Sequence, residues 1–142
     1  MPSSIRDAAP DAWGRRVIIN HAFGVRGANL DKRELSELTF LLESCSDRIG
    51  TLDFQRSPTD YKPRSPTHAT LEELMDTARR VEKGIPRFPG LDQALHHGSS
   101  IGGARPMALI KDSAIQHIAK FSASTDAYSV VKAEFIALRL AA

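Results

Sequence analysis

The nine residues from His97 to Arg105, HGSSIGGAR, carry three glycines and two serines ahead of an apolar run. Glycines in such a loop let backbone N–H groups approach phosphate oxygens with no Cβ in the way. The spacing matches neither GxxxxGK[ST] nor GxGxxG, so the loop alone reads as a flexible turn feeding a strand. Two residues downstream change its weight. Lys120 ends the strand-like run His117-Ile118-Ala119-Lys120, seventeen residues after Gly103, and Glu134 sits inside the helical pattern VVKAEFIALRL. A strand-end ammonium can grip nucleotide phosphates, and a carboxylate on the next helix can hold that ammonium in place.

Each residue taken singly has a commonplace reading. A strand-end lysine is ordinarily solvated, and a mid-helix glutamate ordinarily pairs a neighbour such as Lys132 or Arg139. In order, the loop, the lysine and the glutamate follow the phosphate-gripping half of the protein-kinase arrangement. The nucleotide-binding candidates are therefore Gly98, Ser99, Ser100, Gly102, Gly103, Ala104, Lys120 and Glu134. No residue is assigned to catalysis or to a metal. The histidine pair His96-His97 does not suit two ligands on one ion, and no cysteine or carboxylate pattern completes a site. Cys45 lacks a nucleophile motif and reads as a buried thiol at a helix edge. Arg15, Arg16, Arg79, Arg80 and Arg87 read as a solvated face rather than a binding patch.

The elements that must position these residues fall into two parts around a proline-rich connection. Asp7 to Phe23 predicts a helix with Asp7 as N-cap, Pro10 in the first turn, and Trp13, Val17 and Ile18 on one face. GVRGANLDK reads as a loop, and ELSELTFLLESC as a helix with Leu35, Leu38, Leu41 and Leu42 at helical spacing. IGTLDF predicts a short strand or extended edge, and QRSPTDYKPRSPTHA an irregular linker. Thr70 to Lys83 predicts a helix with a Thr70/Glu73 capping box, a stripe of Leu71, Leu74, Ala78 and Val81, and Gly84 at its end. A short helix is expected over residues 90–97. PMALIK and AIQHIAKF predict two strands joined at Asp112-Ser113, with a helix from about Ser124 to the end.

With 142 residues, 42% hydrophobic and 25% charged, the chain can bury one modest core or one shared by two small subdomains. Nineteen basic and 17 acidic residues interleave to a net charge of +2, which argues against a nucleic-acid footprint. No apolar run approaches the roughly 20 residues that span a bilayer, and MPSSIRDAAPDAW lacks a signal-peptide core. With one cysteine, these features lead to the expectation of a cytoplasmic protein with no membrane partner.

The motifs resemble the HipA-type serine/threonine kinases, toxins of bacterial toxin–antitoxin systems. The resemblance is carried by Gly98-Ser-Ser-Ile-Gly-Gly-Ala-Arg-Pro106, Ile118-Ala-Lys-Phe121, Glu134 in AEFIALRLA, APDAWGRR (Ala9 to Arg16) and SDRIGTLDF (Ser46 to Phe54). It covers about Asp7 to Ala142. It implies that the loop covers the phosphates of ATP with Mg2+, that Lys120 contacts nucleotide and Glu134 steadies it, and that Ser100, or Ser99, is an autophosphorylation switch. Arg105 is then a nearby donor to that phosphate. Met107 stands where the family usually has lysine, which implies a weaker phosphate grip, and the expectation for this chain alone is weak ATP binding or none.

The sequence thus predicts an α+β chain: a HipA-like N-terminal subdomain, truncated at its start, over residues 1–97, and an incomplete kinase-like N-lobe, a β-hairpin and one helix, over 98–142. As the N-terminal part of a HipA-like kinase it would contribute ATP contacts but, without a catalytic C-lobe, no activity alone. The alternative is a non-catalytic module that binds a separate kinase lobe or a HipB-like antitoxin; a decayed remnant or a fragment is a third reading. Exposure of the apolar side of the hairpin and terminal helix, including some of Ile118, Phe121, Phe135 and Leu138, predicts a homo-dimer or aggregation.

Overall fold

The computed structural model describes residues 2–23, 35–48, 52–64, 69–85, 99, 103–112 and 115–141. Among these the fold is mixed α+β, with five helices and a two-stranded antiparallel sheet. The helices are α1 (Ser3–Arg6), α2 (Ala12–Phe23), α3 (Glu37–Glu43), α4 (Leu71–Glu82) and α5 (Val130–Ala141), and the strands are β1 (Met107–Asp112) and β2 (Ile115–Lys120). None of the described helices is long and apolar enough to cross a membrane. The expected loop over residues 24–32 and helix over 90–97 lie outside the described residues.

Asp7 does not cap α2. It closes the single turn of α1, its N–H donating to the Ser3 carbonyl at 2.9 Å. Pro10 separates the two helices because its ring disfavours the helical conformation at the preceding residue and it offers no N–H. From Ala12, α2 runs to Phe23 as expected and is buried on more than one side. Trp13 and Val17 enter a core with Leu74, Ala78, Val81, Met107, Ala108 and Phe121. Ile18 and Ile19 form a second cluster with Phe40, against which Leu35 packs. The first cluster joins residues from both sides of the expected boundary after residue 97, so the hairpin and α4 share one core.

α3 is shorter than its leucine spacing suggested. Ser36 caps it by accepting from Thr39 N–H at 3.2 Å, and Phe40 and Leu41 are buried while Leu38 is 52% exposed. α4 follows its local signals most closely. Thr70 and Glu73 form the reciprocal capping box. At the other end Gly84 adopts φ 65°, its N–H donates to Val81 O at 3.2 Å, and Ile85 N–H reaches Arg80 O at 2.9 Å. Those two bonds make a Schellman closure, for which glycine is the unstrained residue. The buried face is Leu74, Thr77, Ala78 and Val81; Leu71 is half exposed, and Thr77 turns its hydroxyl to the Glu73 carbonyl at 2.6 Å.

Of the expected strand over residues 49–54, residues 49–51 lie outside the described residues, and Leu52 to Phe54 form no strand. Asp53 receives Arg64 at 2.6 Å, and the Arg48 guanidinium lies 5.4 Å from the Phe54 ring centre. The described part of the proline-rich stretch is irregular, yet it is tied down. Arg64 donates Nε to Ser44 O at 2.7 Å and its N–H to Ser46 Oγ at 3.0 Å, and its carbonyl accepts Cys45 Sγ at 2.8 Å.

The hairpin pairs Met107 with Lys120 through to Asp112 with Ile115, so residues 113–114 connect the strands, one position later than expected. Met107, Ala108 and Phe121 face the core, whereas Ile115 and Ile118 are exposed. α5 starts at Val130 rather than near Ser124. Asp126 accepts from Ala123 N–H at 3.0 Å and returns its own N–H to Ala123 O at 3.1 Å, a local turn that competes with helix. Nothing on α5 is buried: Phe135 is 65%, Leu138 65% and Leu140 83% exposed.

Removing the Thr70 hydroxyl leaves an orphan N–H at the head of α4. Thr70→Ala is expected to destabilise the protein by about 1 kcal/mol, read as a lower urea midpoint at unchanged slope; no change would mean that α4 is held by packing alone.

Candidate functional site

Lys120 ends β2 opposite Met107, and its ammonium forms an ion pair with the Glu134 carboxylate in α5. Both side chains stay about 40% exposed, at 42% and 40%. The pair spans two elements; Glu134 bonds Lys120 rather than a neighbour on its own helix.

The described ends of the glycine-rich loop pack onto the first turn of α2. At one end Ser99 is fully buried and its Oγ accepts Cys45 N–H at 3.3 Å. A methyl group at Gly14 would collide with the Ser99 carbonyl and approach Pro10 Cβ to 2.8 Å. At the other end Gly103 adopts φ 138°, a conformation that only glycine takes without strain. Its N–H donates to Asp11 Oδ2 at 2.7 Å, and its carbonyl accepts Trp13 N–H at 3.2 Å. Trp13 also gives its indole N–H to Met107 O at 3.2 Å. Ala104 is exposed; Gly98, Ser100 and Gly102 lie outside the described residues.

Met107, where the resembled family has lysine, is 6% exposed and belongs to the core. A carbon placed on Gly103 would meet its Cε at 2.7 Å. Met107 thus borders both Gly103 and Lys120.

Arg105 does not stand free beside the loop. It makes a two-pronged ion pair with Asp126, at 2.9 and 2.7 Å. Hydrogen bonding from Arg105 holds the Asp126 carboxyl below the usual carboxylate range, and the same bond raises Arg105. Sequence reasoning missed Asp126 because nothing at 21 positions' separation marks the partner. It also missed Asp11, although the APDAWGRR motif contains it.

A second group of side chains builds the platform beneath Ser99. Arg48 bonds Cys45 O at 3.1 Å, Ala8 O at 2.7 Å and Leu41 O at 2.7 Å, and also Ser44 Oγ. Burial lowers its pKa from the ordinary arginine value. Burial raises Asp53 less than its hydrogen bonds to Ser46 and Gln55 and the charge of Arg64 lower it, so its carboxyl is held down. Burial pushes the Cys45 thiol up. Arg15, expected to be solvated, grips Glu37 at 2.8 and 2.6 Å and stacks 4.7 Å from the Phe40 ring centre. Among the described residues no group of three or more His, Cys, Asp or Glu side chains could hold a metal ion.

Compared with known proteins, the chain matches no family model, no curated protein and no solved structure.

Two outcomes follow from these environments. Asp126 has a depressed native pKa, so its stabilising contribution is present above the unfolded carboxylate pKa of about 4 and is lost as pH falls through the lower native value. Asp126→Asn should therefore lower the melting temperature at neutral pH, and its deficit should close on acidification. A deficit independent of pH would show that the ion pair is not its source. Native Cys45, buried and scarcely ionised, should react with iodoacetamide far more slowly than the urea-unfolded chain; equal rates would contradict the burial.

Proposed function

We propose that this chain carries the nucleotide loop and the lysine–glutamate pair of a HipA-like serine/threonine kinase and contributes contacts to the phosphates of Mg-ATP. The observation that supports this best is the ion pair of Lys120 with Glu134. A kinase uses a strand lysine, steadied by a helix glutamate, to hold nucleotide phosphates beneath a glycine-rich loop. An exposed ion pair by itself contributes only about 0–1 kcal/mol to stability. This one joins β2 to a helix that buries nothing, and it follows a glycine-rich loop. That order supports a ligand-facing lysine over an ornamental surface pair. Ser100 is the proposed switch position. Ser99, buried and accepting from Cys45 N–H, is a poorer phosphate acceptor.

A second reading has its own observation. Phe135 and Leu138 on α5 and Ile118 on β2 are exposed, which favours a binding module that docks a separate kinase lobe or an antitoxin.

Titration with a fluorescent ATP analogue and Mg2+ tests the first reading. Binding is expected, and Lys120→Ala should weaken it about tenfold or more, the range for one charge-assisted contact. Binding indifferent to Lys120, or none at all, would overturn it. Absent nucleotide binding combined with capture of a HipA-like kinase lobe, lost in Phe135→Ser, would favour the second.

A further inference from the structure

The side chains and backbone of the APDAWGRR segment meet both described ends of the glycine-rich loop. Asp11 holds Gly103 N–H at 2.7 Å, Trp13 N–H holds Gly103 O at 3.2 Å, and the bare Cα of Gly14 admits the Ser99 carbonyl. These contacts reach across 92 positions in the case of Asp11.

We propose that the start of α2, with Asp11 just ahead of it, is a latch that fixes the described ends of the glycine-rich loop, Ser99 and Gly103, with Asp11 as its positioning residue and Gly103 as an anchor point rather than a phosphate donor. The chemistry is specific. A backbone N–H offered to a phosphate must point outward and be unoccupied, but that of Gly103 ends on a carboxylate, a strong charge-assisted acceptor. Its carbonyl is also taken, by a helix N–H that has no partner within α2. With both polar groups engaged and φ at 138°, Gly103 has little freedom to follow a ligand. Asp11 is itself exposed, so its carboxylate is not needed to fill the core. It acts on the ligand only through Gly103.

Its effect on nucleotide rests on the function proposed above; the latch itself does not. Asp11→Ala and Asp11→Asn should be compared with the unaltered chain by hydrogen–deuterium exchange of the peptide spanning residues 98–106, by melting temperature, and by titration with Mg-ATP. Asp11→Ala is expected to raise exchange in that peptide about tenfold, the factor one lost charge-assisted bond gives. It should weaken Mg-ATP binding by a similar factor, with the melting temperature lowered by about a few degrees, the shift one lost bond of that size gives. Asp11→Asn, which keeps an acceptor in place, should fall between. Unchanged exchange in Asp11→Ala would overturn the latch. Raised exchange with undiminished affinity would overturn the positioning role. If the unaltered chain binds no Mg-ATP, the nucleotide reading and the positioning role fall together, while exchange still decides the latch. Should Asp11→Ala unfold, Asp11→Asn alone is read, with the same outcomes at smaller size.

Discussion

The Trp13 indole is the constraint on which the described structure turns. It is 1% exposed, packs α2 against α4 and the hairpin, and uses its one polar atom to bond the Met107 carbonyl. A buried indole N–H without an acceptor is costly, so the ring can enter this core only in an orientation that meets β1. That orientation fixes where β1 starts relative to α2. The same residue's backbone N–H takes the Gly103 carbonyl, so the strand and the loop ahead of it are registered on a single helical turn.

Around that centre, arginines replace regular secondary structure. Arg48 gathers carbonyls from the α1–α2 connection, α3 and Cys45, and Arg64 draws the proline-rich stretch back onto Ser44, Ser46 and Asp53. Planar guanidinium groups suit this work, since each can satisfy several backbone acceptors at once. α5 is the opposite case. With no buried residue, its described ties include the Lys120–Glu134 pair, and its apolar side chains face outward. The candidate site therefore joins a rigid part, the loop ends on α2, to a lightly held one.

The candidate residues were legible in unequal degree. Lys120 and Glu134 stood out by type and order, and they meet. The loop stood out by its glycines, but what Gly103 touches did not, because Asp11 is one of many carboxylates until the chain returns past it. The resemblance makes Arg105 a nearby donor to the loop serine, and the structure pairs it with Asp126.

What the sequence determined by itself lies within about four residues of each signal. The limits of α4 follow from the Thr70/Glu73 box and Gly84, and the hairpin from two apolar runs around a short connection. Local hydrogen bonds and side-chain periodicity suffice there. Tertiary structure alone decided that Asp53 receives Arg64 and that α5 begins at Val130. It alone also decided that Asp11 meets Gly103. These outcomes depend on partners 11 to 92 positions away, or on a turn whose carboxylate is shared with such a partner. Nothing in a side chain's own neighbourhood specifies which distant carbonyl, carboxylate or amide will arrive, because that is set by how the Trp13 core closes.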